Sequence, residues 1–421
     1  MKFKIHGLRW YIVGLVGLTT ALNYFDRQTL ALLAGTLEKV LGITTIQYSY
    51  MTAAFLTSYT VMYAVSGRLI DRLGTRRGLA TFVTGWSVVD ALHALARTAL
   101  QFSFCRFLLG AMEPANFPAG VKAVSEWFPV RQRALAVGVF NSGTAIGAAA
   151  AAPVVAWITI QWGWRYTFVV GAVLGLAWTA VWLLIYRVPR QHPWLGADEL
   201  ELIEEGSAPT APSVPVSARR LLSRREAWGC ILARMLTDPI SYFFAFWMPK
   251  FLQQERGFDL AAIGRYYWIP YVGLAAGNLA SGAIPGWLMS AGWTINRSRK
   301  TVMFAASCLI PICFVAITRV PNPAWAVALI TVAMFCHAAW GNMALPAEVF
   351  AKQVVGSVSG FGGAMGSLVG AVTMLLIGRT VAVSSFTPIF VIYAGLPMTA
   401  WVIVCVLLPR LGEIRGGARC P

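Results

Sequence analysis

The chain has 421 residues, 57% of them hydrophobic and only 12% charged, with a mean hydropathy of +0.64. A water-soluble protein of that size needs far more charge to cover its surface, so the composition argues against a soluble enzyme. The net charge of +17 does not point to nucleic acid either, because the basic residues are scattered in short runs between apolar stretches.

Those stretches reach about 20 residues, the length that crosses a bilayer core. In chain order, spans are expected at 10–34, 48–71, 78–98, 100–124, 134–159 and 164–187, then at 226–251, 262–290, 299–318, 322–345, 353–379 and 385–410. Twelve is an even number, which puts both termini on one side. The runs Arg72, Arg76 and Arg77; Arg131 and Arg133; Arg219, Arg220, Arg224 and Arg225; Arg297, Arg299 and Lys300; and Arg410 and Arg415 fall in every second loop. They make that side the cytoplasm. Trp10, Trp127, Trp162, Trp164 and Trp228 fall near span ends, where an aromatic belt is expected. The first apolar run carries Asp26 and Arg27, which the core of a cleaved signal would not.

The longest polar stretch, 188–224, carries Pro189, Pro193, Pro209, Pro212 and Pro215 with the acids Asp198, Glu199, Glu201, Glu204 and Glu205. It reads as a cytoplasmic linker with one short surface helix before its Pro-rich part. The expectation is an all-α membrane protein of twelve transmembrane helices in two six-helix bundles, 1–187 and 225–421. Internal symmetry supports it. Gly143-x-x-x-Gly147 returns as Gly362-x-x-x-Gly366, and Gly67 as Gly286, at one shared offset. Small residues four apart let helices approach closely, so each pair reads as a packing seam in duplicated halves.

Seven cysteines, with no C-x-x-C pair, read as small buried hydrophobes. Metal, nucleophile and nucleotide signatures are absent: there is no H-E-x-x-H, no G-x-S-x-G and no Walker loop. No cofactor is expected.

Ionisable residues inside spans cost on the order of 2.5–3.5 kcal/mol each, so each needs a reason. Span one carries Asp26 and Arg27, span four Arg106 and Glu113, span seven Arg234 and Asp238, span ten His337. Pairing that only fixes helix positions is the bland reading, and it suits Arg234 with Asp238, four residues apart on a helix. Two carboxylates and two arginines on spans one and four suit a proton-coupled anion site better. An arginine fork grips a carboxylate in a bidentate way, and desolvated carboxylates take up protons. Pro114 and Pro118 predict a bend just after Glu113. His337 reads equally as a helix-packing histidine. Tyr59, Tyr63, Asn141 and Asn278 could serve sugar hydroxyls or bond between helices.

At the cytoplasmic end of span two, Gly67-Arg-Leu-Ile-Asp71-Arg72-Leu-Gly74-Thr-Arg76-Arg77-Gly78 sets a carboxylate before a tight turn and an arginine cluster. Asp71 can accept hydrogen bonds from a neighbouring helix N-terminus while Arg72 and Arg76 hold the loop, latching the halves. Ser290 stands where the second half would carry the acid, so the latch is asymmetric.

This loop resembles the signature of the major facilitator superfamily. Gly7-Leu-Arg-Trp-Tyr11, Gln47-Tyr-Ser-Tyr50, Lys122-Ala-Val-Ser-Glu-Trp-Phe-Pro129, Ala136-Val-Gly-Val-Phe-Asn141 and Trp247-Met-Pro resemble its anion:cation symporter family, the bacterial hexuronate transporters above all. The resemblance implies proton-driven import of an organic anion, a hexuronate foremost, by a monomer in the inner membrane with H+ as coupling ion. It implies Asp26 and Glu113 as proton carriers, Arg27 on the substrate carboxylate, Arg106 tuning Glu113, Tyr59 in the site, and Arg234 beside substrate. The rival readings are transport of another organic anion (an aldonate, dicarboxylate, aromatic acid or sugar phosphate) and a membrane sensor that moves nothing.

Overall fold

The computed structural model describes residues 4–204, 221–350 and 352–411. The Pro209–Pro215 part of the linker and Arg219, Arg220, Arg415 and Cys420 lie outside them. Helices account for nearly all of the described chain, and no strand occurs among the described residues.

α1 (Leu8–Leu41) is the first span. α2 (Thr45–Leu95) holds the second and third: Gly74, at φ 74° and ψ 158°, breaks it where the arginine-rich turn is expected. Only glycine takes that backbone conformation without strain. The fourth span is split. α3 (Ala99–Met112) gives way to a 3-10 turn at Glu113–Ala115 and then to α4 (Asn116–Trp127). That is the bend Pro114 and Pro118 predict. α5 (Arg133–Trp162) and α6 (Trp164–Ile185) complete the first half, and α7 (Ala197–Glu204) is the linker's surface helix. Glu199 of α7 accepts from the backbone N–H groups of Leu8 and Arg9, at 3.2 and 3.3 Å, and from the Arg9 guanidinium at 2.7 Å. A carboxylate there meets the positive end of the α1 dipole.

The second half runs α8 (Arg225–Phe246) and α9 (Met248–Glu255) as the seventh span, α10 (Leu260–Tyr266) and α11 (Ile269–Ser290) as the eighth, and α12 (Ile295–Arg319) as the ninth. The tenth is broken like the fourth. α13 (Pro323–Ala339) ends at Gly341, φ 71°, and a 3-10 turn Asn342–Ala344 leads to α14 (Leu345–Val349). α15 (Lys352–Val383) and α16 (Thr387–Leu407) follow.

Seven of the described helical stretches are long and apolar enough to cross a bilayer. α2 crosses twice. The expected spans that miss this test are the first, fourth, seventh and eighth, which carry buried charge, a break or a glycine- and asparagine-bearing sequence. Leu184, Leu279 and Val383 are 74%, 76% and 86% exposed, as a surface facing lipid requires. Of the expected tryptophan belt, Trp162 and Trp228 are exposed, whereas Trp127 and Trp164 turn inward, Trp127 edge-on to His192.

Within the first half, α1 packs on α5 and α6, and α2 on α3 and α6; within the second, α8 packs on α15 and α16, α12 on α13 and α16. The halves meet along α2 with α15 and along α5 with α10 and α11. Gly143 and Gly147 lie on the α1 seam, where an added Cβ would sit 2.3 Å from the Gly17 carbonyl oxygen and 2.0 Å from that of Ala21. Gly362 and Gly366 do the same work on the equivalent α8 seam, against Arg234 and Asp238. Gly147→Val is expected to force α1 off α5, costing about 3 kcal/mol or more. The check is loss of folded protein on size-exclusion chromatography in detergent.

At the end opposite the arginine-rich loops the halves are sealed. Gln253 accepts from Gly35 N at 3.1 Å and donates to the Leu32 carbonyl at 3.2 Å. Lys250 pairs with Glu38 at 3.1 Å, and Tyr48 donates to the Phe246 carbonyl at 2.5 Å.

Candidate functional site

Neighbouring residues on a helix point about 100° apart, so Asp26 and Arg27 of α1 face different ways. Arg27 reaches the space between the halves. Its Nε and Nη2 both donate to Oε2 of Glu113, at 3.0 and 2.7 Å, and Nη2 also reaches Asn23 Oδ1 at 3.3 Å. The rings of Tyr24, Tyr59 and Phe55 lie 4.6, 5.0 and 5.3 Å from its guanidinium carbon, an aromatic cage suited to a flat cation. The 3-10 turn after α3 is what brings Glu113 to this point. Its second oxygen, Oε1, has no donor.

Arg106 is fully buried behind this pair. Nη2 donates to the Arg27 carbonyl at 3.2 Å, the guanidinium lies 5.2 Å from the Phe55 ring, and Nε and Nη1 have no partner. Asp26 is also buried, turned away from the cavity toward Gly171 of α6.

The second half presents a closed network. Arg234 Nε donates to Asp238 Oδ2 at 2.9 Å, and Nη1 to the Ser359 carbonyl at 3.0 Å. Asp238 Oδ1 accepts from Asn342 Nδ2 at 3.0 Å, the same amide reaching Thr237 Oγ1 at 2.8 Å. His337 Nε2 lies 2.6 Å from the Ser241 hydroxyl. Asn342 is delivered by the 3-10 turn of the tenth span, as Glu113 is by that of the fourth.

Between the two networks is a cavity of about 320 Å³. Arg27, Tyr24, Asn141, Asn278, Ser241, Tyr242, His337 and Asn342 are on its wall. Arg27 and Asp238 are the charged groups there. Four of the expected site residues thus face it directly: Arg27, Asn141, Asn278 and His337. Glu113 and Tyr59 stand behind Arg27, Arg106 stands behind both, and Arg234 is held within the second half.

The expected cytoplasmic latch is placed differently. Asp71 is exposed and bonds Lys122 Nζ at 3.0 Å within its own half. Arg76 donates to the Leu183 carbonyl and its own carbonyl accepts from Trp182 Nε1 at 3.0 Å, while Arg72 is exposed. These hydrogen bonds and ion pairs of the turn all stay in the first half.

Asn342, Ser241, Asp90 and His93 stand outside the expected set. Asn342 and Ser241 carry no charge and no motif. Asp90 and His93, in the third span, are intramembrane ionisable groups of the kind already singled out elsewhere, and the same rule would have found them.

The profile of the major facilitator superfamily matches residues 16–341. The chain belongs to the major facilitator superfamily. It is 34% identical to a protein of Escherichia coli (strain K12) named hexuronate transporter, over 96% of this chain and 95% of that one. It is 37% identical to one from Dickeya chrysanthemi named galacturonate transporter, over 73% of this chain and 90% of that one. Its fold is similar to the xylose transporter of E. coli solved in an inward open conformation, with a TM-score of 0.72 at 15% identity over 97% and 98% of the two chains. Major facilitator proteins are membrane transporters, and this chain is a multi-pass membrane protein with that architecture.

Proposed function

We propose that this transporter imports a sugar-acid anion, a hexuronate such as glucuronate or galacturonate, together with protons across the inner membrane, as a monomer with both termini cytoplasmic. The observation that carries the reading is Arg27. Its guanidinium is the positive charge on the cavity wall, and it is occupied by a carboxylate of the protein itself, Glu113, at 2.7 Å. A substrate carboxylate competes for the same fork. Protonation of Glu113 frees the fork for substrate, and loss of that proton expels the substrate, which couples the two.

The remainder of the wall suits a sugar. Asn141, Asn278, Ser241, Asn342 and His337 offer neutral donors and acceptors for hydroxyl groups, and 320 Å³ is within the range of small-ligand sites. Arg234 is committed to Asp238, so Arg27, once Glu113 releases it, is the one cationic pole on the wall, which favours a monocarboxylate over a dicarboxylate. With the arginine-rich end cytoplasmic, the sealed end is extracellular and the state is inward-facing. Rocking the halves about α2–α15 and α5–α11 alternates access, and Asp71 with its turn meets the second half in the other state.

The deciding experiment is uptake of labelled glucuronate and galacturonate by proteoliposomes, with and without an inward proton gradient. Accumulation that the gradient drives and other hexuronates compete supports the proposal. Uptake of neither acid sinks the hexuronate assignment, and uptake indifferent to the gradient sinks the symport.

A further inference from the structure

The acid of the third span has no part in the site above. Asp90, on the second segment of α2, is 1% exposed, and neither of its carboxyl oxygens meets a donor. It lies within hydrogen-bond reach of the Asp26 carboxyl on α1. The two meet over Gly171 of α6, where an added Cβ would lie 2.8 Å from Asp26 Oδ1 and 3.5 Å from Asp90 Oδ2.

No cation answers them at contact distance. His93, one turn along α2, comes no nearer than 4.0 Å to Asp90, and its Nδ1 donates to the Val89 carbonyl at 2.9 Å. From α3 come Arg106, whose one bond goes to the Arg27 carbonyl, and Cys105; past the end of α3 lies Glu113, already on Arg27. α6 faces the pair with Gly171, and α1 adds Asp26 itself. Two ionised carboxylates, touching and out of water, repel strongly, whereas a carboxyl and a carboxylate sharing one proton attract and satisfy each other.

We propose that Asp26 and Asp90 hold a single proton between them, and that Asp90 is a proton-coupling residue of this transporter. The second part rests on the symport reading; the first does not. Asp26 lies one residue along α1 from Arg27, the cation proposed to hold the substrate. When its proton leaves, two negative charges remain beside Arg106, whose unpartnered Nε and Nη1 turn toward them. That turn draws Nη2 off the Arg27 carbonyl and loosens the helix that presents Arg27. Proton release at the pair and substrate release at Arg27 are thereby linked through Arg106.

The test has two readouts. Infrared difference spectra of the purified, substrate-free protein, between neutral and alkaline pH, should show the carbonyl stretch of a protonated carboxylic acid at neutral pH. Asp90→Asn should remove or shift that band, and Asp90→Glu should keep one. A native protein with no such band, or a band unchanged in Asp90→Asn, overturns the shared proton whatever the substrate is. In proteoliposomes under a gradient of about one pH unit, Asp90→Asn should lower the accumulation ratio by about tenfold, the factor one lost proton represents. Native accumulation without response to the gradient sinks the symport reading and leaves the band to judge the pair. Native coupling with equal coupling in a folded Asp90→Asn overturns the role given to Asp90.

Discussion

Arg27→Lys is expected to raise the half-saturation concentration for a sugar acid by about 10- to 150-fold, measured as uptake by proteoliposomes at fixed pH. The change keeps the charge and removes the shape. Lysine is a point charge with no planar fork, so a carboxylate held through two parallel N–H groups keeps one of them. A hydrogen bond to a charged group is worth about 1.5–3 kcal/mol, which is the stated range at tenfold per about 1.4 kcal/mol. The cage also loses its occupant, since Tyr24 and Tyr59 stack on a flat guanidinium at 4.6 and 5.0 Å. Arg27→Ala is the less informative variant. It strands Glu113, which is 2% exposed, without its cation, and breaking such a pair costs about 3–5 kcal/mol of stability. A lysine variant that saturates at the native concentration would remove Arg27 from the substrate site.

The fold was readable because the bilayer imposes length and apolarity, and both are written residue by residue. The linker helix, the Gly74 turn, the break after Glu113 and the two glycine seams all follow from local chemistry. What could not be read is the direction in which a side chain leaves its helix once the helices are assembled. Asp26 and Arg27 are adjacent in sequence and share one expected site, yet one faces the α6 glycine and the other the cavity. Arg106 and Arg234 are as charged as Arg27, but Arg106 is turned onto the Arg27 carbonyl, a partner that assembly alone provides, while Arg234 keeps to Asp238, the pairing that their spacing on one helix allows. Neutral Asn342 reaches the cavity through a 3-10 turn at Gly341 that mirrors the one at Glu113, a correspondence between halves that no single motif announces.

Glu113→Gln is expected to lower the accumulation ratio by about tenfold under a gradient of about one pH unit, while exchange of labelled for unlabelled substrate falls far less. Glutamine keeps the size of the side chain and an oxygen to accept from Arg27, but it cannot gain or lose a proton. Each coupled proton contributes about 1.4 kcal/mol per pH unit, which is a tenfold accumulation. The pH dependence should change in a definite direction. In the native protein a protonated Glu113 should leave Arg27 to the substrate, so binding is expected to be tight at low pH and to weaken as ionised Glu113 reclaims the guanidinium, which it holds at 2.7 Å. In the variant no carboxylate competes directly for Arg27, and the part of the pH slope that Glu113 imposes should be lost. The two readouts separate the roles the site combines. A glutamine that merely disturbed packing would depress exchange and accumulation together and leave the pH slope in place, whereas a lost proton acceptor depresses accumulation and removes that part of the slope. If Glu113→Gln concentrates substrate as steeply as the native protein, Glu113 is only the anchor of Arg27, and the proton travels elsewhere in the first half.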